Sequence, residues 1–214
     1  MRVMFSDRSD AGRQLAGALE RFRSARPLVL ALPRGGVVVG AEIARALGCN
    51  LDVALVKKLR APGSPELALG AVGEDDTVFV NREIVGLIGA GQTYIEGEIK
   101  ERQGQIALQG QRYRQCKPKI PVAGRTVILT DDGLATGATM IAAVSATALA
   151  RPHQLVVAVP VAAPEAVRTI QIMKQVGEMV CLMTPMWFEG VGQFYRDFRQ
   201  IEDEEVMKLL EEFA

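Results

Sequence analysis

Residues 127–140, VILTDDGLATGATM, constrain this chain more than any other segment. An unbroken apolar run ends in two adjacent carboxylates, passes through a loop of Gly, Ala and Thr, and continues into small residues. An apolar run without alternation reads as a strand buried on both faces, which requires a sheet covered by helices on both sides. The pattern has an earlier counterpart. Residues 28–32 form a second apolar run, stopped by Pro33, Arg34, Gly35 and Gly36 and followed by a small-residue helix from about 37 to 47 that closes at Gly48.

Further elements extend this rhythm. An opening amphipathic helix over 7–23 places Ala11, Leu15, Ala18, Leu19 and Phe22 on one stripe, with Asp7, Arg8, Arg13, Glu20 and Arg23 elsewhere. Residues 51–56 read as a strand with Lys57, Lys58 and Arg60 at its C-terminal end, where an open parallel sheet places its ligands. Strands are expected at 126–130, 155–159 and 179–183, and helices at 138–150 and 164–175. Between 58 and 120 the rhythm breaks into a Pro/Gly loop (RAPGSPE), extended stretches near 66–72 and 77–81, and a polar helix near 93–115 with the stripe Ile95, Ile99, Ile106 and Tyr113. An aromatic segment (Trp187, Phe188, Phe194, Tyr195, Phe198) and a helix carrying Val206, Leu209, Leu210 and Phe213 close the chain. The expected fold is α/β: a mostly parallel twisted sheet flanked by helices, with an inserted extended and helical arm. One domain over 1–214 is expected, with its core at about 26–57 and 120–183, the insertion at about 58–119, and the tail at 184–214.

Composition removes several function classes. Lys plus Arg equal Asp plus Glu at 25 each, so no general field attracts nucleic acid or an anionic membrane, and any anion site must be local. Cys49, Cys116 and Cys181 are odd in number and widely spaced, which suggests neither a disulfide framework nor a zinc cluster. His153 is the single histidine and is assigned no role, so a His-based metal cage or a Ser/His/Asp triad is not available. GxxxxGK[ST], GxGxxG after the first strand, GxSxG and a helix-turn-helix signal are all absent. A charged N-terminus and the lack of a span-length apolar run lead to the expectation of a soluble, unprocessed, cytoplasmic protein.

The chemistry concentrates at 131–139. Successive strand side chains point to opposite faces, so Asp131 and Asp132 at the strand end can bracket a polyhydroxylated ring from two directions. Leu134, Ala135, Thr136, Gly137, Ala138 and Thr139 would present backbone N–H groups at a helix N-terminus, where unpaired donors and the macrodipole favour a phosphate. Gly133 and Gly137 allow close approach, and Thr136 and Thr139 add hydroxyl donors. A phosphate beside ring-binding carboxylates describes ribose 5-phosphate.

Residues 127–140 resemble the signature for 5-phosphoribosyl 1-pyrophosphate (PRPP) of type I phosphoribosyltransferases, and the βα order over 28–183 is similar to that fold. Gly133 departs from the pattern, since many members carry an apolar residue there, and is expected to alter loop flexibility. The resemblance implies that Asp131 and Asp132 hold the ribose hydroxyls, that 135–139 hold the 5′-phosphate, and that Arg34 and the Gly35 amide bind pyrophosphate with help from Lys57. It implies a strained or cis peptide at Arg34 or Gly35. It also implies transfer of the phosphoribosyl group to a nitrogen nucleophile, with Mg²⁺ bound mainly through PRPP oxygens and no metal held directly by the chain. The catalytic set would be Asp131, Asp132 and Arg34, with the loop 60–66 as a lid. Simpler readings stand beside these. Lys57 and Lys58 can be a solvated strand end, and Trp187 and Phe188 can stack on a base or pack the last helix. The acceptor base is not legible, a homodimer is possible, and a non-catalytic PRPP or nucleotide 5′-phosphate sensor is the rival reading.

Overall fold

The computed structural model describes residues 4–214, apart from the side chains of residues 65 and 66. In chain order its elements are α1 (Arg8–Leu19), β1 (Leu28–Ala31), α2 (Gly35–Leu47), β2 (Asn50–Val53), β3 (Val56–Ala61), β4 (Ser64–Gly73), β5 (Val78–Val80), α3 (Arg82–Ile88) and α4 (Gln92–Cys116). They continue with β6 (Thr126–Thr130), α5 (Ala138–Leu149), β7 (Gln154–Val161), α6 (Pro164–Gln171), β8 (Glu178–Met183) and α7 (Asp203–Glu211). Five strands form a parallel sheet in the order β2-β1-β6-β7-β8, and three form an antiparallel sheet in the order β3-β4-β5.

Strand alternation divides the core in two. Val29, Ala31, Ile128, Val156 and Ala158 face α1, α2 and the inserted arm. Leu28, Leu30, Val127, Leu129, Val157 and Val159 face α5 and α6. Both faces are covered, which is why β1 and β6 read as continuous apolar runs rather than alternating ones.

The strand expected over 51–56 is two strands. β2 ends at Val53, the Ala54 N–H donates to the Ala31 carbonyl as the last contact with β1, and Val56 already belongs to the antiparallel sheet. The residues from 51 to 55 are all buried, and burial says that a residue is inside without saying which sheet it joins. Lys57 therefore does not end a strand of the parallel sheet. It lies in β3 opposite Val72. The RAPGSPE loop is also shorter than expected, because β3 and β4 continue almost to Gly63. Helix α3 was not expected, although its signals are present: the Asn81 side chain accepts from the N–H groups of Glu83 and Ile84, and Gly89 closes it with φ +65.

The arm is fastened to the core through a buried network. Arg114 near the end of α4 donates to Asp52 of β2 at 2.6 Å and to both carboxylate oxygens of Glu74 at 2.6 and 2.9 Å. The second Asp52 oxygen accepts from the Ile120 N–H. The tail is equally integral. Phe5 and Tyr195 form a parallel bridge, and Phe194 is buried beside them. Val206 and Leu210 of α7 sit in the core cluster with α2 and Tyr113 of α4. Among the described residues, no helix is long and apolar enough to cross a membrane.

Candidate active site

The order of the parallel sheet reverses between β1 and β6, since the chain lays β2 on one side of β1 and β7 and β8 beyond β6. Open α/β sheets bind ligands at the carboxyl ends of the strands flanking such a point. The turn after β1 is Pro33–Arg34, running directly into Gly35 and Gly36 at the start of α2, the turn after β6 begins with Asp131, and the Leu32 N–H donates to the Thr130 carbonyl to tie the two together. The peptide between Pro33 and Arg34 is cis, as the resemblance led us to expect.

The two turns are in contact. A Cβ at Gly35 would lie 2.0 Å from Asp132 Oδ2, and one at Gly36 would lie 2.9 Å from the Asp131 Cα. Any larger residue would drive the turns apart, so the Gly-Gly pair serves space here. The acids occupy opposite faces, as alternation requires. Asp131 lines a cleft of about 200 Å³ with Gly133, Leu134, Ala135, Thr136, Gly137, Ala138, Thr139, Met140 and Val191. Asp132 turns toward α1.

The loop of that cleft has defined anchors. The Leu134 N–H donates to the Val161 carbonyl, and the Leu134 carbonyl accepts from Ala163. Gly137 adopts φ +74, which a residue with a side chain rarely does, and α5 begins immediately after it. Thr136 Oγ1 accepts from the Ala138 N–H at 3.3 Å, while Ala135, Thr136 and Thr139 are exposed toward solvent. The first N–H groups of α5 have no acceptor within the helix, and Ala138, Thr139 and Met140 line the cleft. A Cβ at Gly133 would lie 2.6 Å from a Val191 methyl, so the tail fills the place of a side chain at 133.

Burial, with the Asp132 charge beside it, holds the Asp131 carboxyl well above the usual carboxylate range. Burial raises Asp132 as well, against the opposing hydrogen bond and charge of Arg8. Arg8, which the spacing of α1 sets off its apolar stripe, is nevertheless buried, with Nε donating to Asp132 Oδ2 at 2.7 Å. Tyr195 donates to the Asp132 carbonyl at 2.6 Å, and its hydroxyl pKa is pushed up mainly by burial. Neither partner was legible in sequence, because each reaches the acids from outside the motif through tertiary packing. The Asp7 N-cap, whose side chain accepts from Asp10, signals where α1 begins but not what Arg8 meets.

Arg34 stands at the start of α2 and donates to Glu202 at 3.0 Å, just before α7. Lys57 stands in the antiparallel sheet rather than at the end of a parallel strand. It is half-buried in β3, and its pKa is lowered by burial and by the charges of Arg102 and Arg60. Trp187 is 84% exposed beyond β8. Phe188 packs instead against Phe194, with ring centres 5.3 Å apart.

Comparison with known proteins gives the family. The family profile for the phosphoribosyl transferase domain matches residues 9–199. Two Mycobacterium tuberculosis proteins, each named "putative phosphoribosyl transferase", are 42% identical over 213 residues, covering 97% of this chain and 46% of each relative. The chain thus spans about half the length of the curated relatives it matches. The crystal structure of TT1426 from Thermus thermophilus is similar with a TM-score of 0.93 and 45% identity over 99% of both chains. A hypothetical protein from Neisseria gonorrhoeae with bound ppGpp shares the fold at a TM-score of 0.53 and 11% identity, over 98% of this chain and 94% of that one. The profile runs from α1 through both turns of the cleft into the aromatic tail, and the chain belongs to the phosphoribosyl transferase domain family.

Proposed function

We propose that this chain transfers the 5-phosphoribosyl group of PRPP to a nitrogen nucleophile, a nucleobase, with release of pyrophosphate, as a cytoplasmic enzyme of nucleotide metabolism. The observation that carries the reading is the contact between the Gly35–Gly36 turn and the Asp131–Asp132 pair beside an open loop of main-chain donors at the sheet's switch point. In this reading residues 135–139 take the 5′-phosphate on backbone N–H groups and the hydroxyls of Thr136 and Thr139. Asp131 and Asp132 accept from the ribose hydroxyls and, once ionised in the complex with PRPP, offset positive charge growing at C1 as the bond to pyrophosphate loosens. The Gly35 amide and Arg34 receive the leaving group, and Arg34 exchanges the Glu202 carboxylate for pyrophosphate oxygens. Trp187 is the exposed aromatic available to stack on the base, whereas Phe188 is engaged by the tail. Lys57 helps bind pyrophosphate, and the β3–β4 hairpin that carries it closes over the cleft, with 60–66 as the lid.

Mg²⁺ suits oxygen ligands, and in this reading the oxygens are those of PRPP itself rather than a ligand set of the chain. When bound through PRPP oxygens it would neutralise charge on the departing pyrophosphate. The chain's own residues supply position, charge complementarity and exclusion of water, which would otherwise capture the sugar.

The test is a panel of nucleobases incubated with Mg·PRPP while pyrophosphate release is followed. Turnover with one acceptor, abolished in the Asp131→Asn/Asp132→Asn double variant with the fold intact, is the expected result; turnover unchanged by the double variant would remove both acids from the mechanism. The second reading is a non-catalytic PRPP or nucleotide 5′-phosphate sensor. What favours it is the ppGpp bound to the Neisseria protein of like fold, since a main-chain cradle accepts a phosphate whatever group carries it. Calorimetry that shows binding of PRPP or ppGpp with no turnover on any base would select it.

A further inference from the structure

We propose that Arg8, in the first turn of α1, is a positioning residue that fixes the Asp132 carboxylate against the Gly35 turn. The inference rests on the reading of this site as a sugar-phosphate cradle and extends it to a helix outside the motif.

The guanidinium is held on three sides. Nε donates to Asp132 Oδ2 at 2.7 Å, Nη1 donates to the Arg199 carbonyl at 2.8 Å, and the guanidinium carbon lies 3.9 Å from the centre of the Phe198 ring. Arg8 is 7% exposed, so its geometry is fixed by packing before any ligand arrives. A solvated arginine in an ion pair gains little and loses side-chain entropy. One that is already immobilised keeps most of the attraction in a poorly screened setting.

The contact geometry shows why Asp132 needs such a partner. A Cβ at position 35 would meet both Asp132 Oδ2, at 2.0 Å, and Arg8 Nε, at 2.8 Å, so Gly35, Asp132 and Arg8 form one contact unit joining α1 to the two turns of the cleft. The groups facing Asp132 are Arg8 from α1, Asp131 from its own turn, and the Tyr195 hydroxyl from the tail, which donates to the Asp132 carbonyl. The uncharged Gly35 turn completes the surround, and the Arg34 guanidinium is committed to Glu202. Arg8 is therefore the one cation in contact with Asp132 among the described residues, beside a second acid that resists simultaneous ionisation. With Arg8 removed, Asp132 would be free to rotate out of the turn and would bind a proton more readily.

Two measurements test this. In the ligand-free protein, a ¹³C NMR titration of the Asp132 carboxyl is run on the wild type, Arg8→Gln and Arg8→Lys, with the remaining spectrum reporting that each variant is folded. Calorimetry then gives the affinity of each for Mg·PRPP at pH 6 and pH 8. Arg8→Gln is expected to raise the Asp132 midpoint by about one pH unit and to weaken Mg·PRPP about tenfold, more at pH 6 than at pH 8. Arg8→Lys should restore part of the midpoint, since the charge returns without the fork that also reaches the Arg199 carbonyl. An unmoved midpoint in Arg8→Gln overturns the inference, and so does a moved midpoint with wild-type affinity at both pH values. If the wild type itself gives no heat with Mg·PRPP, the reading of the cradle falls, while the titration still decides whether Arg8 holds Asp132.

Discussion

At the scale of single residues, the site is made by what is missing as much as by what is present. Gly35 has no positive φ to explain it, and its role is the room it leaves for the Asp132 carboxylate. Gly35→Ala is expected to cost about 1–3 kcal/mol of stability by overpacking and to weaken Mg·PRPP by about tenfold or more. Chemical denaturation and calorimetry read the two effects, and an alanine variant with both wild-type values would mean that the turns are not in contact. The acids make a second prediction. Both carboxyls are raised in the folded state, chiefly by burial, so the folded chain binds their protons more tightly than the unfolded one. The stability they contribute is complete below the ordinary carboxylate range and is lost as pH rises through the raised folded values. Asp131→Asn cannot ionise, and its amide oxygen can still accept from the Asp132 N–H. Its melting temperature should therefore exceed that of the wild type, by a margin that widens from pH 5 to pH 8. A margin independent of pH would show that Asp131 is not held out of its charged state by the fold.

At the scale of elements, α4 is attached by charge as well as by its apolar stripe. Ile95, Ile106 and Tyr113 are buried as the spacing predicts, yet the far end of the helix is fixed by Arg114 between Asp52 and Glu74. Tyr113 reaches further, donating to Asp203 in the first turn of α7 at 2.6 Å, and burial with that hydrogen bond pushes its pKa up to about 12. Asp52 is fully buried, so Arg114→Ala leaves an unpaired charge inside the molecule and should destabilise it by about 3–5 kcal/mol. Urea unfolding at pH 7 checks the magnitude. A loss below about 1 kcal/mol, the range of an exposed pair, would mean that water enters and solvates Asp52 in the variant.

At the scale of the molecule, the tail packs against both the core and the site. Phe194 and Tyr195 close over Phe5, Tyr195 and Arg199 reach the site through Asp132 and Arg8, and Val191 packs on Gly133. Helix α7 adds Val206 and Leu210 to the core and brings Glu202 to Arg34. Ending the chain at Gly190 should abolish cooperative thermal unfolding and Mg·PRPP binding together. A truncated form that kept a sharp near-ultraviolet transition at the wild-type midpoint would show instead that the tail only decorates the sheet.

The β6 strand over Thr126–Thr130 and the tight glycine loop that follows the adjacent acids were legible in the sequence, because a strand buried on both faces must be apolar throughout and a positive φ such as that of Gly137 favours glycine. The same reasoning found β1, α5, α7 and the stripe of α4, and through the resemblance it led to the cis peptide before Arg34. The division of residues 51–61 between two sheets was not legible, since hydrophobicity encodes depth and not the identity of the neighbouring strand. Nor were the buried place of Arg8, the filling of Gly133 by Val191, or the placement of Lys57 in the antiparallel sheet. Those were decided by tertiary structure, because each depends on which distant surface arrives against a side chain, and one-dimensional spacing carries no record of that arrival.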